Sequence, residues 1–156
     1  MMGSGHGHEP APAHPADATA HAQIARVPDR CLGRTQRVRQ ARIFREAYDT
    51  CTGFAGRWLV LRLWHGEDAA LRLGVVASRR SFPRAVDRNR AKRLMREAFR
   101  LNRHRLQGNC DVILMARMPI IRVTMPEVAR ELLYLAGKAG LLRSGASLRT
   151  QAGTKT

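Results

Sequence analysis

Hydrophobic and polar positions change their period several times between about residue 35 and residue 142, and each change marks a predicted element. Residues 39–51 place Phe44, Ala47, Tyr48 and Cys51 at helical spacing, with Gly53 following as a stop, so a short helix is expected there. Residues 57–64 (Arg-Trp-Leu-Val-Leu-Arg-Leu-Trp) and 71–79 (Leu-Arg-Leu-Gly-Val-Val-Ala-Ser-Arg) read as strands. His65-Gly66-Glu67-Asp68 between them reads as a turn, which predicts an antiparallel hairpin. A long helix is expected from about Arg88 to Arg105, ended by Gln107-Gly108-Asn109, and residues 110–117 form a buried strand. Thr124-Met-Pro-Glu127 is a capping box with an early proline, opening a last helix that reaches Gly140. The order is helix, two or three strands, helix, strand, helix. The expected fold class is α+β, a small two-layer α/β sandwich with one mostly antiparallel sheet and about three helices.

The flanks lack such a pattern. Residues 1–34 are rich in Ala, Pro, Gly and His with almost no large apolar residue before Ile24, and residues 143–156 are similarly polar, so both are expected to be disordered around a domain at 35–142. His6-Gly-His8 in the arm is not read as a metal site, because a Pro/Gly-rich arm does not hold ligands in fixed geometry.

Charge sharpens this picture. The chain of 156 residues carries 28 Lys+Arg against 12 Asp+Glu, a formal net charge of +16, and only Lys92, Lys138 and Lys155 of the basic residues are lysines. Such an excess points to a polyanionic partner and disfavours an ordinary metabolic enzyme. The guanidinium fork grips two phosphate oxygens or stacks on a base, which suits RNA. A GC-rich coding sequence would also favour Arg over Lys, but it does not explain the net charge. Neither a membrane span nor a secretory signal is visible, so a cytoplasmic protein without a membrane role is expected. The odd, widely spaced Cys31, Cys51 and Cys110 fit neither a disulfide framework nor a CxxC motif, and read as reduced thiols, two of them packed.

Much of the charge is concentrated on one segment. On a helical wheel with Ala91 at zero, Leu94, Met95, Ala98 and Leu101 fall within roughly 80° of it and should meet the sheet. Asn89, Lys92, Arg93, Arg96, Arg100 and Arg103 fall between roughly 100° and 200° on the same wheel, a solvent-facing stripe of five cations and one amide. Like charges at i, i+3 and i, i+4 repel, so the stripe costs stability unless a polyanion covers it. A solvated charged face usually mixes signs, whereas Glu97 is the only acid after Asp87 in this helix.

Arg88-Asn89-Arg90, followed by Lys92-Arg93-Leu94 and Arg96-Glu97-Ala98-Phe99, resembles the signature of the bacterial ribonuclease P protein subunit. Leu73 to Arg80 resembles the strand that leads into that helix in the family, Asp111 to Arg117 its next strand, and Leu132 to Leu142 its closing helix. The resemblance implies a fold like the second domain of a small-subunit ribosomal protein, with a left-handed βαβ crossover where general rules predict a right-handed one. It implies a subunit of the ribonucleoprotein that removes the 5′ leader from precursor tRNA, an endonucleolytic hydrolysis whose chemistry the RNA subunit carries. The implied partners are ribonuclease P RNA and precursor tRNA, with no obligate protein partner. The implied cofactor is Mg2+ held mainly by RNA, with no catalytic or metal-ligating residue on the protein.

Carried over residue by residue, Arg88, Asn89, Arg90, Lys92, Arg93 and Arg96, with Arg100 on the same stripe, are the implied contacts to the RNA subunit. Arg37 and Arg39, Phe44 and Tyr48, Arg62, and Ser78, Arg79 and Arg80 are the implied contacts to the leader. Phe44 and Tyr48 would stack on unpaired bases or pack in the core, and Arg62 stands where many members have an aromatic residue. Phe82-Pro83 occupies a loop where the family often has glycine, and Asp87 adds a negative charge beside the motif as a possible helix cap. A ribosomal or RNA-chaperone binding protein with no cleavage role is the alternative. A DNA-binding regulator would need a recognition helix and a dimer surface, neither of which is visible.

Overall fold

The computed structural model describes residues 32–143. Readings of the arm up to Cys31 and of the tail from Ser144 lie outside the described residues. Helices α1 (Ala41–Asp49), α2 (Ala85–Asn102) and α3 (Met125–Lys138) accompany strands β1 (Gly53–Ala55), β2 (Leu59–Trp64), β3 (Leu73–Val76) and β4 (Asp111–Ala116). The sheet order is β1-β2-β4-β3, with β1 and β4 antiparallel to β2 and β3 parallel to β4. The α+β class and the mostly antiparallel sheet stand as expected.

The predicted hairpin does not form. The second and third strands are separated by β4, which pairs with β2 through Leu61↔Leu114 and with β3 through Val75↔Leu114. β4 takes the centre because it is apolar on both faces: Val112, Ile113 and Leu114 are all fully buried, whereas Val60 and Arg62 of β2 and Val75 and Val76 of β3 are half-buried. A strand buried on both sides belongs in the interior of a sheet. A long-range ion pair holds β3 there. The buried Asp111 carboxylate accepts from Arg72 Nε at 2.9 Å and Nη2 at 2.6 Å, and more weakly from the backbone N–H groups of Arg72 and Ala70.

Strand alternation sorts the side chains into two cores. Leu59, Leu61 and Leu63, Leu73, and Val112 and Leu114 face α2 and α3, where they meet Ala91, Met95, Ala98, Phe99, Leu132 and Leu135. The opposite face carries Trp64 and Ile113, which α1 covers with Ile43 and Ala47. Of the wheel's apolar face, Ala91, Met95 and Ala98 are fully buried and Leu94 and Leu101 half-buried; the fully buried Phe99 was not among the expected positions. Leu32 also packs in the larger core. Leu32 to Arg34, placed with the arm in the sequence reading, are among the described residues.

Helix ends follow their sequence signals. At α3, Thr124 N–H donates to Glu127 Oε2 at 2.8 Å, closing the expected capping box, and Gly140 with φ +71 stops the helix just past its end. α2 starts three residues before Arg88, so Asp87 lies in its first turn rather than at the cap. The α3 side chain Glu131 docks on the sheet by accepting from the backbone N–H groups of Arg57, of Trp58 at 2.9 Å and of Leu59 at 3.0 Å. Glu131→Ala leaves those donors without a carboxylate and is expected to cost about 2 kcal/mol of stability, measured as a drop in urea midpoint at unchanged slope. Among the described residues, no helix is long and apolar enough to cross a membrane.

Candidate nucleic-acid interface

The segment before α1 runs along the outer edge of β3, where Val38 N–H donates to Leu73 O at 2.9 Å. Val38 turns inward and is buried, so Arg37 and Arg39, one residue away on either side, are exposed. Together with Phe44 of α1, Val75 of β3 and Arg96 of α2 they line a cleft of ≈ 250 Å³. Among the described residues, no acidic residue lines it. The Arg96 guanidinium is held below its ordinary range by desolvation and, secondarily, by the charge of Arg37. Three cations thus face one hollow without a counter-charge among the described residues. Phe44 both packs and lines: a Cβ at Gly74 would lie 2.8 Å from the ring, so the close approach of ring and strand requires glycine, while part of the side chain remains accessible in the cleft.

Tyr48 and Arg62 form a separate arrangement one turn along α1. Arg62 Nη1 donates to the carbonyls of Ala47 at 2.9 Å, Tyr48 at 3.0 Å and Cys51 at 3.0 Å, closing the C-terminal end of α1 with a cation where the helix dipole favours one. Its guanidinium carbon lies 5.7 Å from the centroid of the Tyr48 ring. Tyr48 is exposed and shares a shallow depression with Phe44, Arg45 and Asp49. Phe44 therefore connects the two places.

Ser78, Arg79 and Arg80 make the turn after β3. Ser81 N–H donates to Ser78 Oγ at 3.1 Å and Phe82 N–H to Ser78 O at 2.9 Å, which leaves Arg79 and Arg80 exposed at the tip. The Phe82-Pro83 loop has a defined anchor, since Phe82 is fully buried in the core. Arg88 Nη1 donates to the carbonyls of both Phe82 at 2.9 Å and Pro83 at 2.7 Å. Arg88 thus fastens the loop to α2.

The single stripe read from the wheel divides into parts with different neighbours. Arg96 lines the cleft, whereas Asn89, Arg90 and Arg93 line a second groove, of ≈ 400 Å³, with Val86 and Leu94. Arg90 Nε donates to Ile121 O at 3.1 Å. Lys92 is half-buried on the helix between them. Arg100 pairs with Glu97 through Nε and Oε2 at 3.0 Å, and Arg100 holds the Glu97 carboxyl below the usual range. The wheel missed Val86 as a lining residue because it weighed charge alone, and it missed the Arg100–Glu97 pair because it asked which residues share a face. The i, i+3 spacing was the available signal.

Among the described residues, no group of three or more His, Cys, Asp or Glu could hold a metal ion. Cys110 is buried and its thiol is pushed up by desolvation, and Cys51 is half-buried.

Comparison with known proteins places the chain by family and fold. The Ribonuclease P family profile matches residues 32–140. The ribonuclease P protein component of Pseudomonas entomophila is 40% identical over 99 residues, covering 62% of this chain and 73% of its own. That of Xanthomonas axonopodis pv. citri is 33% identical over 129 residues, covering 83% and 88%. Among solved structures, the RNase P protein of Staphylococcus aureus superposes with a TM-score of 0.60 at 25% identity, over 69% of this chain and 98% of that one. The RNase P protein of Thermotoga maritima superposes with a TM-score of 0.56 at 28% identity, over 65% and 96%. With a matching profile across most of the described residues and relatives similar in both sequence and fold, the chain belongs to the bacterial ribonuclease P protein family.

Proposed function

We propose that this protein binds ribonuclease P RNA through α2 and the 5′ leader of precursor tRNA through the cleft at the edge of β3, and so assists removal of the leader. The observation that carries this reading is the cleft in which Arg37, Arg39 and Arg96, with no acidic residue lining it among the described residues, surround the accessible part of Phe44. Guanidinium groups take up backbone phosphates, and a ring offers a stacking surface worth about 1–3 kcal/mol per unpaired base. That combination fits a single strand better than a duplex, whose bases are already stacked. Asn89, Arg90 and Arg93 on the adjacent groove present an amide and two cations to a structured RNA, the amide reading a base edge or a 2′-hydroxyl.

In this reading the RNA subunit carries the hydrolysis, with Mg2+ held mainly by RNA. The protein contributes position and charge. Arg88 and the buried Phe82 anchor the loop before α2 to the helix that carries both grooves. The cytoplasm is the compartment in which such a ribonucleoprotein would work.

Reconstitution tests the proposal. Mixed with a bacterial ribonuclease P RNA at low magnesium, the protein is expected to restore processing of precursor tRNA that the RNA alone performs poorly. RNA binding without any stimulation of cleavage would favour a ribosomal or chaperone role instead.

A further inference from the structure

Val86 stands out on the first half of α2. It is 75% exposed, more than any other large hydrophobic residue among those described, in a helix whose remaining apolar residues, Ala85 aside, are all buried or half-buried. Val86, Asn89, Arg90, Arg93 and Leu94 stand at i, i+3, i+4, i+7 and i+8, and so form one continuous face. That face is the second groove, with Val86 and Leu94 as its apolar part and Asn89, Arg90 and Arg93 as its polar part. The bond from Arg90 Nε to Ile121 O ties this rim to the segment before α3 and uses one of the five guanidinium donors.

A groove built for phosphates alone has no use for an apolar element, because a phosphate gains nothing from two methyl groups. A protein partner would need a counter-charge for Arg90 and Arg93 and a larger apolar area than one valine and one leucine supply. An unpaired nucleotide meets all the groups present: its base is a flat apolar surface with a polar edge, and its phosphates are anionic. We propose that this groove seats one unstacked base of the RNA subunit, laid on Val86 and Leu94, with Asn89 at its edge and Arg90 and Arg93 on the flanking phosphates. The inference rests on the docking of α2 on that RNA and adds that the contact is to a single-stranded position rather than to helical backbone. Val86 is then an affinity residue of a highly basic surface, although it carries no charge.

The test compares Val86→Ala, Val86→Lys and Arg93→Ala in titrations with ribonuclease P RNA across a salt series. Because the side chain is exposed, the Val86 variants are expected to keep the fold. Val86→Ala should weaken binding about five-fold with the log-affinity versus log-salt slope unchanged, since no charge is lost. Arg93→Ala should weaken binding and flatten the slope by about one contact. Chemical probing of the bases should show one unpaired position that the parent protein protects and Val86→Ala leaves reactive. Wild-type affinity for Val86→Ala, or tighter binding by Val86→Lys than by the parent, would overturn the base seat while leaving α2 docking intact. Unchanged affinity and slope for Arg93→Ala would instead remove the docking reading on which the inference stands.

Discussion

Replacing Arg37 and Arg96 together with alanine is expected to lower the affinity of the reconstituted holoenzyme for precursor tRNA by roughly ten- to a hundred-fold, two charge-assisted contacts at about 1.5 kcal/mol each before solvent screening. The loss should appear in KM rather than kcat, because the cleft is read as binding the leader equally in ground and transition states. The log-affinity versus log-salt slope should flatten by about 0.7 per lost contact with a single strand. A precursor trimmed of its leader should bind both proteins alike. Stability should not fall and could rise slightly, since both side chains are exposed and Arg37 disfavours the charged form of Arg96. An equal loss with the leaderless substrate would place the two arginines on the tRNA body or the RNA subunit, and the cleft would lose its assignment.

The second large effect concerns the fold. Arg72→Met removes both side-chain bonds to Asp111, whose side chain is fully buried, and leaves that carboxylate with only the longer backbone contacts at 3.3 and 3.4 Å. An uncompensated buried charge costs about 3–5 kcal/mol, a large part of the stability of a domain of this size. Urea denaturation should show the midpoint falling steeply. The double variant Arg72→Met with Asp111→Leu should recover much of the loss, because an apolar pair of similar volume avoids the desolvation cost. A single-variant loss below about 1 kcal/mol would mean that strand pairing, not this ion pair, holds β3 beside β4.

That ion pair also explains where the sequence could be read and where it could not. The order and places of the helices and of β2, β3 and β4 follow from periodicity and from end signals such as Thr124, Glu127 and Gly140, which act within a few residues, although α2 begins at Ala85 rather than Arg88 and β3 is the shorter Leu73–Val76. Partner choice in the sheet does not act locally. Two apolar runs separated by a turn-like tetrapeptide look like a hairpin, yet Arg72 reaches Asp111 thirty-nine positions away, and the continuous apolar run at 112–114 claims the central place. The short β1 lay within a stretch read only as a helix stop. The basic helix was legible as a face, but a wheel has no neighbours: it could not show that Arg96 shares a cleft with Arg37 while Arg93 lies in the groove containing Val86. At Arg62 the sequence suggested only a leader contact, and the geometry adds that its guanidinium closes the end of α1 by donating to three carbonyls.

The bonds made by Arg62, Arg88, Arg90 and Arg117 have a further consequence. Each fastens the fold by donating to a neutral carbonyl, so the bond leaves the positive charge in place. Ion pairing with an acid has the opposite electrostatic result, as at Arg72–Asp111, Arg100–Glu97 and Arg42–Glu46. Four internal joints of the domain therefore also contribute to its long-range attraction for a polyanion. Each of the four donates through a single nitrogen, Nη1 in Arg62, Arg88 and Arg117 and Nε in Arg90. The same side chains thus serve both the joints of the fold and its attraction for a polyanion.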